Sequence, residues 1–259
     1  MAVLQFKFDE SFDGRVMTVG GWIGEEREWR RLENQWQRCI DRQNSSARQD
    51  QQISRFHAAE MNGYKEEFAH WDKPMSERFC GKLVNLLTRR QMGGICIGAD
   101  MDAIKAVFPE DDPNRRDSVY ALCIKQAMVE IGHIMQHFFP GDQVALIHDH
   151  GDWDEQALAG YNKMVDDPQW ISRKYFHSIT PLTWRQSIGL QPADMLAYEA
   201  FKALSARIVH DEERFRWALR QFISEDGMPM MLKYMSLDTI RQLREKIDQD
   251  RANQQSGTV

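Results

Sequence analysis

Three aspartates stand where the predicted elements of this chain begin or end. Asp9 closes an alternating N-terminal strand, and Asp149 closes a short apolar strand just before a glycine turn. Asp194 falls in the first turn of a helix that is predicted to open at Pro192, a residue suited to the first helical position. Because residues just past strand ends line the binding crevice of an open α/β sheet, we expect the three acids to converge there.

A cluster of carboxylates from different elements can bind Mg²⁺ or Mn²⁺, since both ions prefer oxygen ligands. Two such ions held side by side can activate water and stabilise the leaving oxygen in phosphodiester cleavage. A structural alternative stays open for Asp194, because a carboxylate at a helix start is also stabilised by the helix dipole or acts as a cap.

The elements that must position these acids alternate between strand and helix. Hydrophobic periodicity predicts strands at residues 3–9, 19–23, 53–57, 95–97, 143–149 and 175–180, and helices at 25–42, from 73, at 118–139, at 154–164 and from 192. Two further helical stretches surround Trp217 and Ile240, and the polar segment from Asp248 to Val259 is predicted to be disordered. This order predicts an α/β fold with a central mixed sheet flanked by helices, followed by extra C-terminal helices.

Several short motifs in this order resemble the domain-of-unknown-function 3800 family. They are Asp9-Glu10-Ser11, Val19-Gly20-Gly21-Trp22-Ile23, Phe56-His57-Ala58-Ala59-Glu60, the strand that ends at Asp149, and Leu190-Gln191-Pro192-Ala193-Asp194. The resemblance spans residues 3–205 and departs from the family pattern at Phe12 and Pro192. It implies a ribonuclease H-like domain over residues 1–208, with a helical extension at 209–247 and a tail at 248–259.

The resemblance also implies a set of site residues. Asp9, Asp149 and Asp194 would be metal ligands, with Glu60 as a further acid and His57 able to orient water or accept a proton. A structural role for His57 is the alternative. Glu10 is a weaker candidate, because neighbouring side chains of a strand point to opposite faces.

A rival metal chemistry lies in the same strand. The run His148-Asp149-His150-Gly151-Asp152 matches the first five positions of the His-x-His-x-Asp-His signature of metallo-β-lactamase-like hydrolases, which hold zinc. Trp153 replaces the final histidine of that signature, and His177 and His210 are the histidines that follow. Surface histidines at a polar strand exit are the structural alternative.

Composition fits an ordinary cytoplasmic globular protein. The chain has 259 residues, of which 42% are hydrophobic, and it contains no apolar stretch long enough to predict a membrane span. Its four cysteines are scattered without a paired metal-binding motif, so they are predicted to be free thiols.

The net charge of −6 opposes indiscriminate binding along a nucleic-acid backbone. Local basic patches such as Arg30-Arg31, Arg89-Arg90 or Arg115-Arg116 would therefore have to contact phosphate.

Two classes of function therefore stay open. The first, which we favour, is a Mg²⁺- or Mn²⁺-dependent nuclease or related phosphodiester hydrolase, with RNA and DNA equally compatible. The second is a non-catalytic ribonuclease H-like module that binds a nucleic acid or protein, in which the acids only cap elements. A zinc hydrolase is a third and less favoured alternative.

Overall fold

The computed structural model describes residues 2–109, 118–210, 214–223 and 229–256. In these ranges the strands are β1 (Val3–Phe12), β2 (Val16–Glu25), β3 (Gly93–Asp100), β4 (Gln143–Asp149), β5 (Phe176–Leu182) and β6 (Met230–Met235). The helices are α1 (Glu26–Asn44), α2 (Ala58–Gly63), α3 (Lys73–Leu87), α4 (Met101–Val107), α5 (Val119–Phe138), α6 (Asp154–Val165), α7 (Leu190–His210), α8 (Trp217–Phe222) and α9 (Leu237–Ser256).

The strands form one mixed sheet in the order β5-β4-β1-β2-β3-β6. Antiparallel pairing joins β1 to β2 and β2 to β3, and parallel pairing joins β1 to β4, β4 to β5 and β3 to β6. Helices cover both faces of this sheet, so the predicted α/β class, with a central mixed sheet flanked by helices, is confirmed.

The alternation of side chains in β1 divides the core into two layers. Leu4, Phe6 and Phe8 are buried on one face, in the same apolar cluster as residues of α5. The opposite face of the sheet packs against α7, with the buried tryptophans of α1 beside it. We call these two sides the α5 face and the α7 face.

One predicted strand is wrong. Residues 53–57 have no strand partner, because side chains rather than a neighbouring strand satisfy their backbone groups. Asn44 donates to the carbonyl of Ile53 at 2.8 Å and accepts from its N–H at 2.9 Å. Gln191 Oε1 accepts the N–H of Phe56 at 2.8 Å.

The C-terminal extension also differs from the prediction. Besides the helices around Trp217 and Ile240, it contributes strand β6 to the edge of the sheet next to β3. Helix α9 continues to Ser256, so most of the segment predicted to be disordered has a helical backbone, and residues 257–259 lie outside the described ranges.

Two element boundaries differ from the prediction and change where the aspartates lie within their elements. Strand β1 continues to Phe12, so Asp9 lies inside the strand rather than at its end. Helix α7 begins at Leu190, so Pro192 is its third residue and Asp194 lies beyond its first turn.

Candidate functional site

Asp9 and Asp149 come together where strand β4 ends beside β1. Phe8 pairs with His148 in the parallel ladder, so the next residue of each strand is an aspartate. The rings of Phe8 and His148 stack on the α5 face, with centroids 5.6 Å apart. Since side chains alternate along a strand, both aspartates point to the α7 face.

Asp194 reaches the same place because α7 packs very closely on β2. Gly20 is the antiparallel partner of Asp9, and a Cβ atom placed on Gly20 would lie 2.7 Å from the backbone of Ala197. Thr18 Oγ1 donates to the carbonyl of Ala197 at 2.9 Å and holds the helix on the strand. Asp194, one helical turn before Ala197, is buried beside Asp9 as a result.

Asp194 does not cap its own helix. Its Oδ2 accepts the N–H of Ala58, the first residue of α2, at 2.7 Å. Gln191, three residues earlier on the same helical face, accepts the N–H of Phe56 and the indole N–H of Trp36. These two side chains of α7 therefore fix the segment that precedes α2.

Glu10 is a fourth member of the site, although it lies on the α5 face. Tyr120 of α5 donates its hydroxyl to Glu10 Oε2 at 3.4 Å, and the N–H of Glu10 donates to Asp9 Oδ1 at 2.8 Å. Burial raises the pKa of Glu10 to about 7, and the negative charge of Asp149 adds to the rise. The prediction that gave Glu10 little weight, because neighbouring side chains of a strand point to opposite faces, did not allow for this proximity. We call Asp9, Glu10, Asp149 and Asp194 the carboxylate cluster.

Electrostatic repulsion couples these acids. Burial raises the pKa of Asp9 well above its usual value, and the negative charges of Glu10, Asp194 and Asp149 raise it further. Burial is also the main cause that raises the pKa values of Asp149 and Asp194. The cluster thus holds more negative charge than its surroundings stabilise, which favours a bound cation or protons.

Positive groups border the cluster on the segment before α2. The charges of Arg55 and His57 oppose the rise in pKa at both Asp149 and Asp194. Arg55 Nη2 donates to Glu60 Oε1 at 3.0 Å, and the Arg55 guanidinium lies 5.4 Å from the ring centre of Trp184. Glu60 therefore forms an ion pair with Arg55 instead of joining the carboxylate cluster.

His57 is the N-cap residue of α2. Its Nδ1 accepts the N–H of Glu60 at 3.3 Å, so the neutral ring carries its hydrogen on Nε2. In that state His57 donates through Nε2, which suits contact with a substrate oxygen better than removal of a proton.

The residues of the predicted zinc site do not assemble around Asp149. His148 is buried on the α5 face, and both His148 Nδ1 and His150 Nδ1 contact the carboxylate of Asp154. Asp152 and His177 are exposed, and the side chain of His210 lies outside the described residues. The zinc alternative loses its support because His148 and His150 both contact Asp154, whereas Asp152, the acid of the proposed signature, is exposed.

Across residues 2–109, 118–210, 214–223 and 229–256, no three His, Cys, Asp or Glu side chains are grouped as ligands of one metal ion. Chemically, however, the carboxylate cluster fits a hard divalent cation, because it presents oxygen donors whose mutual repulsion a cation would relieve. Asp9 and Asp194 each accept one backbone hydrogen bond through a single oxygen.

The basic residues near the site differ from the arginine pairs that the sequence suggested. Arg30, Arg31 and Arg90 contact acidic side chains of α1, Arg89 is exposed, and the pair at 115–116 lies outside the described residues. Arg55 and Trp184 were missed, because an isolated arginine and an isolated tryptophan give no local pattern.

Comparison with solved structures finds a similarity to a crystal structure of a mutant Bst-RNase HIII protein, with 10% sequence identity and a TM-score of 0.44. The match covers 82% of this chain and 56% of that chain, so this chain spans just over half the length of that protein. No protein-family model and no curated protein matches the chain. The resemblance to the domain-of-unknown-function 3800 family therefore stays a prediction from the motifs.

No helix within the described ranges is both long and apolar enough to cross a bilayer.

Proposed function

We propose that this protein is a divalent-metal-dependent nuclease or related phosphodiester hydrolase that acts at the carboxylate cluster. The observation that supports it best is the electrostatic coupling of Asp9, Glu10, Asp149 and Asp194, which three separate elements bring together with raised pKa values. Structural acids that only cap elements do not need to lie so near one another, since crowding costs stability.

Asp9, Asp149 and Asp194 would hold Mg²⁺ or Mn²⁺. When bound, such an ion polarises a phosphodiester oxygen and lowers the pKa of water. Oxygen-only donors favour these ions over zinc, and the two histidines that flank Asp149 do not add nitrogen ligands, because both contact Asp154.

Arg55 and His57, which lie beside the carboxylate cluster, support a substrate that carries phosphate groups. Arg55 places its guanidinium between Glu60 and the face of Trp184, which leaves it close to Asp149 and Asp194. In this position the guanidinium can bind a phosphate oxygen, and the Nε2–H of His57 can donate to another. Glu60 positions both side chains, since its carboxylate accepts from Arg55 Nη2 and its backbone N–H donates to His57 Nδ1.

Two observations favour the second class, a non-catalytic binding module. The backbone hydrogen bonds of Asp9 and Asp194 give each acid a structural role as well, and the described side chains are not already grouped as ligands of one ion. Phosphate binding by Arg55 without cleavage is the behaviour expected of such a module.

Asp149→Asn tests the proposal, because Asp149 ends β4 and, among the described residues, no hydrogen bond to its side chain links two elements. We expect the wild-type protein to cleave labelled RNA or DNA with Mg²⁺ or Mn²⁺ but not with a chelator, and Asp149→Asn to lose at least 100-fold in rate. Asp152→Asn is the matched control, since Asp152 is an exposed acid three residues further on.

Titration calorimetry with Mn²⁺ adds a readout that does not depend on finding the right substrate. Saturable Mn²⁺ binding that Asp149→Asn abolishes and Asp152→Asn preserves supports the metal site. Equal Mn²⁺ binding by all three proteins, or none by any, contradicts it and leaves the binding module.

A further inference from the structure

A second cavity, away from the carboxylate cluster, lies between the end of α2 and helices α3, α7 and α8. Its volume is about 760 Å³, which falls within the range of small-molecule sites. Residues that line it include Tyr64, Ser76, Cys80, Glu199 and Trp217.

Two polar groups of this cavity are buried without a partner. Glu199 is 3% exposed, and although Arg216 Nη1 lies 3.3 Å from its Oε1, its Oε2 has no hydrogen-bond partner among the described residues. Ser76 is 8% exposed, and its Oγ likewise has none in that part of the chain. Such groups are costly in a protein interior, and both belong to residues that line this cavity, so a ligand there would be their nearest available source of a hydrogen-bond partner.

The rest of the lining limits what the ligand can be. Arg216 offsets the charge of Glu199, and Lys73 lies 3.8 Å from Glu77, so the cavity selects neither a strong anion nor a strong cation. Two large aromatic side chains, Tyr64 and Trp217, line the cavity while remaining 41% and 45% exposed. Aromatic rings in this position suit a flat ring that stacks on them.

We propose that this cavity binds a nucleoside-sized molecule whose aromatic ring carries an amino group, with that amino group donating to Glu199 Oε2 and a second polar group bonded to Ser76 Oγ. The volume, the two unpartnered oxygens and the aromatic lining support this ligand class together. The proposal does not depend on nuclease activity at the carboxylate cluster.

Two substitutions separate binding in the cavity from binding elsewhere. Glu199→Gln keeps the size, but its amide oxygen should face Arg216, which leaves an NH₂ group where the ligand needs an acceptor. Gly81→Leu fills the space instead, because among the described residues a Cβ on Gly81 would meet only Trp217 within 4 Å, at an ordinary contact distance of 3.8 Å. Leucine is also a better helix former than glycine, so α3 should be preserved.

The test is titration calorimetry of the full chain with adenosine and cytidine, which carry the amino group, against purine riboside and uridine, which lack it. We expect saturable binding of adenosine or cytidine, at least tenfold weaker binding of the matched nucleoside without the amino group, a similar loss in Glu199→Gln, and no binding to Gly81→Leu. Glu155→Gln, at an exposed position of α6, is the control and should bind as wild type does.

Absence of binding by both amino-bearing nucleosides to the wild-type protein overturns the proposal, as does equal affinity for both members of each pair. Binding that neither cavity variant weakens also overturns it, because the nucleoside then binds at another site. Thermal unfolding of each variant shows whether it is folded, and the comparison of nucleosides on the wild-type protein decides the question even if one variant is not.

Discussion

At the scale of single residues, the unusual property of this protein is the negative charge that Asp9, Glu10, Asp149 and Asp194 concentrate at one end of the sheet. Folding moves these acids from water to a site where burial and mutual repulsion raise their pKa values. The arrangement therefore lowers stability near neutral pH, and a protein that keeps it must gain something else from the acids. Binding of a cation is the simplest such gain.

Glu10 allows this cost to be measured. Its pKa rises from 4.5 to about 7 on folding, so between these pH values the folded state binds more protons than the unfolded state. Glu10 therefore causes stability to fall as pH rises through this window. We expect Glu10→Gln and the wild type to be equally stable below about pH 4.5, the pKa of Glu10 in the unfolded chain. Above about pH 7, its pKa in the folded protein, Glu10→Gln should be the more stable of the two. Urea unfolding from pH 4 to pH 8 in the presence of a chelator measures the difference.

Glu155→Gln is the control for that series, because Glu155 is exposed on α6 and contributes no crowded charge. A difference between Glu10→Gln and wild type that stays constant with pH would show that Glu10 is not crowded in the folded protein.

Asp194 combines a structural and a proposed functional role, and two substitutions separate them. Asp194→Asn keeps an oxygen that can accept the N–H of Ala58, so we expect the fold to be retained while metal-dependent cleavage is lost. Asp194→Ala leaves that buried N–H unpaired and should cost about 1–3 kcal/mol of stability. Chemical denaturation and cleavage of labelled RNA and DNA, measured side by side, give the two readouts. Wild-type cleavage by Asp194→Asn would place the active site elsewhere.

At the scale of elements, the site depends on how closely α7 approaches β2. Gly20 makes this approach possible, because any side chain there would meet the backbone of Ala197. We expect Gly20→Ala to destabilise the protein by about 1–3 kcal/mol through overpacking, even though alanine reduces the flexibility of the unfolded chain. The displaced helix should also weaken Mn²⁺ binding, since Asp194 is on α7.

Gly141→Ala is the matched substitution, because a Cβ at Gly141 has no atom within 4 Å. Denaturant unfolding of both variants isolates the packing effect. Equal stability of Gly20→Ala and Gly141→Ala would mean that α7 moves away from the strand at little cost.

Most of these elements could be predicted from local pattern, and the exceptions have physical causes. The alternation of Leu4, Phe6 and Phe8 and the apolar run before Asp149 predicted two neighbouring strands correctly. The segment before α2 was predicted as a short strand from its sequence, yet the side chains of Asn44 and Gln191 satisfy its backbone groups in place of a neighbouring strand. Strand β6 was missed, because its residues Met230–Met235 alternate only weakly between buried and exposed.

At the scale of the whole molecule, the packing of α7 on the sheet brings together acids that are about 185 positions apart in sequence, from Asp9 to Asp194. Local pattern predicted that Asp9, Asp149 and Asp194 lie near element ends. Which face each side chain points to depends on strand register, and the ion pair of Glu60 with Arg55 depends on the packing of a segment without regular structure. For this reason the sequence could suggest that the three aspartates lie near one another, whereas it gave no sign of Arg55 and too little weight to Glu10, and the role of all these residues stays a prediction.

The overall charge of −6 bears on how a nucleic acid would bind. A negatively charged protein repels a polyanion at long range, so the attraction must come from a few local cations. Arg55 is the cation that lies close to both Asp149 and Asp194 and is held against Trp184. The number of released counterions, and hence the dependence of affinity on salt, should therefore be small for a nucleic-acid-binding protein.

Arg55→Ala tests whether nucleic-acid binding depends on this local cation rather than on the overall charge of the protein. We expect weaker binding of labelled single-stranded RNA or DNA and a salt slope, d log Kobs/d log[salt], that is smaller in magnitude by about 0.7, the value for one phosphate contact. Fluorescence anisotropy in a chelator, at several salt concentrations, measures affinity without cleavage. Arg89→Ala removes an exposed arginine outside the site and leaves the net charge equal to that of Arg55→Ala. If both variants change affinity equally, only overall charge matters, whereas a loss confined to Arg55→Ala means that one phosphate is bound at the border of the carboxylate cluster.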